Sequence, residues 1–268
     1  MSDELHLSAF QVALAACLLL VNGLVSILLK LRMERSLLIA GVRTVVQLTL
    51  IGFVLEWVFQ LNRWYAVIGL AMVMTVIAGA TAAGRSHRYY TGMWMNTLVS
   101  IWTGSWLVTA YALTILLPDA AHWYRPQYLI PLLGMVLGNT LNGISLGLNT
   151  LTENLASHRG EVESLLALGA TRWESAREPV REAVKTGMIP IVNSMLIVGL
   201  VSLPGMMTGQ ILAGTSPLEA VKYQIVIMFL IASGTAMGTV GVVILSYRRL
   251  FNARHQFLHE QIRTRSTS

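Results

Sequence analysis

Seven apolar runs make up most of this sequence, and each is close to the length that crosses a bilayer. A hydrocarbon core of ~30 Å needs roughly 20 apolar residues in helical form. The runs lie at 8–29, 37–59, 64–83, 96–117, 128–148, 187–214 and 217–247. Charged residues make up 12% of the chain and hydrophobic ones 54%, against roughly 25% charged in a soluble domain. The pattern predicts an all-α integral membrane protein with seven transmembrane helices in one domain over 1–268, in a cell membrane as a multi-pass protein. Met1-Ser2-Asp3-Glu4 lacks the basic segment of a cleaved signal peptide, so the first run is expected to be retained as a span.

The basic residues suggest an orientation. Fifteen of the nineteen Lys and Arg lie after the first, third, fifth and seventh runs. They include Lys30, Arg32 and Arg35, then Arg85 and Arg88, five between Arg159 and Lys185, and five from Arg248 to Arg265. Arg63, Arg125 and Lys222 fall on the other side, and Arg43 lies within a run. Basic residues favour cytoplasmic loops, which predicts an outside N-terminus and a cytoplasmic C-terminus. Trp57, Trp64, Tyr65, Trp123, Tyr124 and Tyr128 would form an aromatic belt at the outer boundary. The net charge of +6 is then that of membrane anchors, and no nucleic-acid partner is implied. The tail, 248–268, is polar and expected to fray beyond Phe251.

One long polar stretch interrupts the runs at 153–186. Glu161 and Glu163 open a segment whose apolar side is Leu165, Leu166 and Leu168. Gly169 stands where a helix C-cap glycine belongs. Ala170 and Thr171-Arg172-Trp173-Glu174 follow, and Thr171 with Glu174 fits a capping box. The stretch therefore predicts a helix, a glycine turn and a second helix: a cytoplasmic elbow able to pass a push from a soluble partner into the spans.

Polar residues inside the runs are candidate path residues. Arg43 and Gln47 are four apart and share a helix face. Arg43 either snorkels or caps a neighbouring helix, or marks a path. Glu56 is a carboxylate at an outer end, either solvated or able to handle a cation. In the fifth run Gly134, Gly138 and Gly143 permit close helix approach. Asn139 and Asn142 either glue helices or line a path.

The sixth run is interrupted. Pro204-Gly205 comes about 16 residues, or ~24 Å of helix, after Met188, and proline stops a helix. Ser202, Leu203, Pro204, Gly205, Met206 and Met207 therefore form a candidate gate, since broken helices at membrane depth line cavities and binding sites. Gln210 follows as a further path residue. Ser216, Pro217 and Glu219 read as a new helix start with a capping box. Met206 and Met207 offer soft thioether ligands, and Glu56 a carboxylate, for a metal; Met is equally an apolar filler.

Absences narrow the chemistry. The sequence has no GxxxxGK[ST] loop, HExxH, GxSxG or Cys/His cluster at metal-ligand spacing. The single Cys17 excludes a disulfide framework. A transport subunit without catalytic residues is expected, with no cofactor in this chain.

Two segments carry a resemblance. EVESLLALGATRWESAREPVREAVKTGMIP resembles the EAA-type coupling loop of ABC permeases, which docks on an ATPase. GLVSLPGMMTGQILAGTSPLEAVKYQI resembles the hallmark segment of the FetB/YbbM-type permeases. GVRTVVQLTLIGFVL, PLLGMVLGNTLNGISLGLN and YRRLFNARHQ are similar to further segments of that family, so the likeness covers nearly the whole chain. It implies iron export in bacteria, with plant relatives tied to aluminium tolerance. It further implies a second copy of the chain, a separate ABC-type ATPase holding ATP-Mg, and a metal cation as cargo. Glu161 to Leu168 would dock on the ATPase and Arg172 onward would act as lever. Arg172, Arg177 and Arg181 either pair with that partner or are simply solvated. Two other readings stay open: the same architecture with another cargo, and a membrane sensor or scaffold.

Overall fold

The computed structural model describes residues 8–61, 63–116 and 125–264. Met1 to Glu4, His122, Trp123, Tyr124 and Arg265 lie outside the described residues. The chain divides into two compact units, Met1–Arg63 and Trp64–Ser268.

The first unit is a helical hairpin of α1 (Ala9–Leu28) and α2 (Glu34–Leu61). Ser8 and Gln11 cap α1 reciprocally, hydroxyl to backbone and amide to backbone. At its other end the Ser26 hydroxyl, 2% exposed, donates to Glu34 at 3.1 Å and accepts from the Met33 N–H at 2.9 Å. One buried hydroxyl thus fixes the hairpin turn. Leu19 fills the space beside Gly41.

The second unit is built on α9 (Pro217–Leu250), with α4 (Met93–Tyr111), α5 (Pro126–Ser157) and α7 (Arg172–Ile197) packed against it and α3 (Trp64–Gly84) against α4 and α5. Small residues make this possible. A Cβ on Gly104 would lie 2.8 Å from the Gly238 nitrogen and 2.9 Å from the Gly234 carbonyl oxygen. One on Gly187 would lie 2.6 Å from the Gly143 carbonyl oxygen. Helices in lipid associate by such close packing, because burial from water no longer drives them together. Of the glycines noted in the fifth run, Gly143 is used this way, whereas Gly138 faces open space within 4 Å.

Among the described residues six helices are long and apolar enough to cross a membrane. The sixth apolar run is not among them. Its first part belongs to α7, which begins at Arg172 in the polar stretch and runs continuously through Pro179 and Pro190 to Ile197. Its mostly apolar end, from Met188, is only about 15 Å long at 1.5 Å per residue. The break also falls earlier than Pro204: Val198 is already extended, and Gly199 turns back with φ +82°. Pro204 instead caps the start of α8 (Gly205–Leu212). Ser216 precedes α9 with no side-chain cap bond, and Glu219 pairs with Lys222 at 2.7 Å. The capping box expected there does not form.

The tail is folded as far as the described residues go, to Thr264, against the expectation of fraying. The Leu258 N–H donates to the Leu250 carbonyl at 2.8 Å. The Phe251 and Phe257 rings stack with centroids 5.0 Å apart. Strand β2 (Arg263–Thr264) then pairs antiparallel with β1 (Arg88–Tyr89), from the α3–α4 connection. The tail is polar by composition, but its two phenylalanines supply a hydrophobic fastening.

Candidate functional site

The polar stretch forms α6 (Arg159–Ala167), a turn, and the start of α7. Glu161 sits in the first turn of α6, where a negative charge meets the positive end of the helix dipole. Glu163 pairs with Arg159 at 2.6 Å. The buried anchor of α6 is Val162, 2% exposed, which the sequence reading passed over; its four-residue spacing to the half-buried Leu166 was the available signal. Leu165 is 37% and Leu168 85% exposed, so two members of the expected apolar face point outward.

Gly169 has φ +94°. Its N–H donates to the Leu166 carbonyl at 3.1 Å, and that of Ala170 to the Leu165 carbonyl at 3.0 Å. This pair of bonds is a Schellman motif, which ends a helix by satisfying its last carbonyls through a left-handed residue. Thr171 then starts α7. Its hydroxyl accepts from the Glu174 N–H at 3.3 Å, and the Glu174 carboxylate accepts from the Thr171 N–H at 2.7 Å. That backbone bond, and then the Thr171 hydroxyl, hold the Glu174 carboxyl below its ordinary range.

The tail grips the same turn. The Arg172 N–H donates to His255 Nδ1 at 2.9 Å, and its guanidinium reaches the Asn252 carbonyl at 3.3 Å. Arg159 Nη1 lies 3.3 Å from His259 Nε2. Trp173 meets Tyr247 edge-on at 5.5 Å, and Tyr247 meets Phe251 at 5.4 Å. Asn252, His255 and His259 had no recognisable spacing to this turn in the sequence.

The α3–α4 connection is tied to α5 and α9. Arg85 donates to Asn142 at 2.8 Å, and Arg88 makes two bonds to Glu153, at 2.8 and 3.2 Å. The Glu153 partnership raises the Arg88 pKa. The Tyr90 hydroxyl sits 2.7 Å from Ser246 Oγ and accepts from Asn96 at 3.0 Å. Ser246 already donates to the Val242 carbonyl, so Tyr90 is the donor to Ser246. Burial pushes the Tyr90 phenol up. Asn154 bonds Glu182 at 2.9 Å, joining α5 to α7.

The intramembrane candidates separate. Arg43, Gln47 and Glu56 lie on α2 and are exposed. Asn139 bonds its own helix at the Met135 carbonyl, 2.9 Å away, while Asn142 accepts from Arg85 and ties α5 to the α3–α4 connection. Ser202 closes the break by accepting from the Gly199 N–H at 2.9 Å. Met206 and Gln210 line a cavity of about 550 Å³ together with Gln127, Glu219 and Lys222. Met207 and Leu203 line a different cavity, of about 410 Å³. The two adjacent methionines therefore do not converge. Among the described residues no group of three or more His, Cys, Asp or Glu could hold a metal ion. The hydroxyls of Thr140, Thr235 and Thr239 are buried without a hydrogen-bond partner, beside the glycine contacts of α5, α7 and α9.

The chain matches relatives across this whole arrangement. It is 40% identical over 85% of its length, and 88% of the relative's, to "UPF0014 membrane protein slr1647" of Synechocystis. It is 32% identical over 94% of its length, and 96% of the relative's, to "Probable iron export permease protein FetB" of Escherichia coli. It is 31% identical over 91% of its length, and 88% of the relative's, to "Protein ALUMINUM SENSITIVE 3" of Arabidopsis thaliana. No solved structure matches. The family model described as "Uncharacterised protein family (UPF0014)" matches residues 9–251, and the chain is a multi-pass membrane protein of that family.

Proposed function

We propose that the chain is the permease subunit of an ABC transporter that exports a metal cation, driven by ATP-Mg hydrolysed in a separate ATPase. The observation that carries this is the continuity of α7. One helix runs from the capped turn at Thr171 to the helix break at Val198. A push on α6 at Glu161, Glu163, Leu165 or the outstanding Leu168 would move the wall of the break as one body. The relative named as a probable iron export permease supports the cargo class.

In this reading two copies pair in the bilayer and the path runs between them. The end of α7 and α8 together make one broken crossing. Added to the six long helices, it restores the odd number that the basic-residue bias requires, with the α6–α7 turn in the cytoplasm.

The test is reconstitution of the chain with its ATPase in vesicles, titrated with Fe²⁺, Zn²⁺, Mn²⁺ and Al³⁺. Metal-stimulated hydrolysis with metal moving in the export direction is expected. Hydrolysis and flux unaffected by any of the four would remove iron, zinc, manganese and aluminium as cargo. Failure of any ATPase to bind the chain would remove the transporter reading in favour of a sensor or scaffold.

A further inference from the structure

Three methionines from three separate helices line one cavity. Met195 lies near the end of α7, Met207 on α8 and Met228 on α9, around about 410 Å³. Methionine ordinarily fills irregular gaps in a core; here three of them form the walls of one. Gln224 lines the same cavity. It is 7% exposed, and its Oε1 is buried with no hydrogen-bond partner. A buried amide oxygen left without a donor is costly, so such atoms in native proteins call for a partner.

The other lining side chains, among them Val198, Leu203, Val221 and Phe229, are apolar. The donor groups carried by the lining side chains are three thioethers and one amide, all neutral. The end of α7 adds to them. The Gly199 N–H turns to Ser202 and the Leu200 N–H to Ile197. Those two donors would have capped the Met195 and Leu196 carbonyls in a continuing helix. A helix C-terminus with freed carbonyls favours a cation. Thioethers are soft ligands that select ions such as Cu(I). The lining holds no carboxylate, so each further positive charge would be desolvated without compensation.

We infer that this cavity is a transit site for a soft monovalent cation of the Cu(I)/Ag(I) class, held by Met195, Met207, Met228 and Gln224. The inference rests on the transport reading for its role, though the binding chemistry stands apart from it. The cavity is far larger than a bare ion, so the cation keeps water on its open side, as suits passage more than storage.

The test titrates the purified full-length protein in detergent with Ag(I), a redox-stable probe. A Cys17→Ser background removes the exposed free thiol. One Ag(I) per chain, with sulfur neighbours in X-ray absorption, is the expected result. The triple variant Met195→Leu, Met207→Leu, Met228→Leu should lose affinity by about tenfold or more. Met33→Leu, Met72→Leu, Met237→Leu, at exposed positions, should leave it unchanged. If the triple variant fails to fold, Met228→Leu and Gln224→Leu singly should each weaken binding. Parental silver affinity in the lining variants, or nitrogen and oxygen ligation only, overturns the site. Vesicles separate the two readings: a lining variant that moves Ag(I) at the parental rate overturns the site and leaves the permease. A parent protein that binds silver through sulfur but moves no metal with its ATPase supports the site and removes the export role.

Discussion

The backbone N–H of Arg172 donates to Nδ1 of His255 at 2.9 Å, across 83 residues of sequence. That N–H is one of the orphan donors at the start of a helix. His255 therefore completes from the tail a cap that Thr171 begins locally. Replacing His255 with Ala should cost about 1 kcal/mol and speed amide exchange at Arg172. Hydrogen-exchange mass spectrometry of the protein in micelles reads this directly. Unchanged protection at Arg172 would show that the tail only rests against the turn.

Gly169 separates strain from contact. At φ +94° a side chain is strained, yet a Cβ there would meet nothing within 4 Å. Gly169→Ala should therefore cost about 1–2 kcal/mol from backbone geometry alone. Gly169→Pro is harsher, because proline holds φ near −65° and removes the N–H that bonds Leu166. The Pro variant should still insert and its complex still hydrolyse ATP, with transport lost. Normal transport by that variant would end the lever argument.

Glu174 makes the start of α7 sensitive to acid. Its carboxyl is held below the ordinary value by the Thr171 backbone N–H and hydroxyl. A depressed carboxyl contributes stability that is fully present above its unfolded pKa. That contribution is lost as pH falls through the folded value. Helix content at the N-terminus of α7 should hold from neutral pH down to the ordinary carboxylate range and fall below it. Glu174→Gln should flatten that acid limb, as followed by exchange at Ser175 and Ala176. An identical limb in the variant would assign the acid sensitivity elsewhere.

Gly104 tests the packing of α4 on α9. Even Gly104→Ala places a Cβ within 2.9 Å of backbone atoms at Gly234 and Gly238. Backbone cannot rotate away as a side chain can. The expected loss is about 1–3 kcal/mol, visible as a lower thermal midpoint in detergent. Gly138→Ala, in open space, is the control and should leave the midpoint in place.

Much of the local structure was legible in the residues. Run length and apolarity are properties of composition, so the helical membrane class needed no tertiary information. Helix caps are equally local. Thr171 with Glu174 and the glycine at 169 work within a few residues of themselves, and both form as read. The capping box at Ser216 does not form, and the Glu219 carboxylate goes to Lys222 instead.

Which helix an apolar run belongs to was settled only by the fold. Residues 188–197 look like the start of a span, but they are the far end of a helix begun at Arg172. Hydropathy counts residues in a window and does not register that a helix has already started. The tail shows the same limit. Phe251 and Phe257 are too few to mark a structured segment by composition, and their stacking depends on chain reversal through Asn252 and His255. Met195, Met207 and Met228 likewise share a wall only because the backbone breaks at Val198 and α8 and α9 fold back around it. Hydrogen bonds within one helical turn can be read from spacing. Contacts across dozens of residues depend on where separate helices cross, and in this protein bare glycine backbones at 104, 143, 187, 234 and 238 set those crossings.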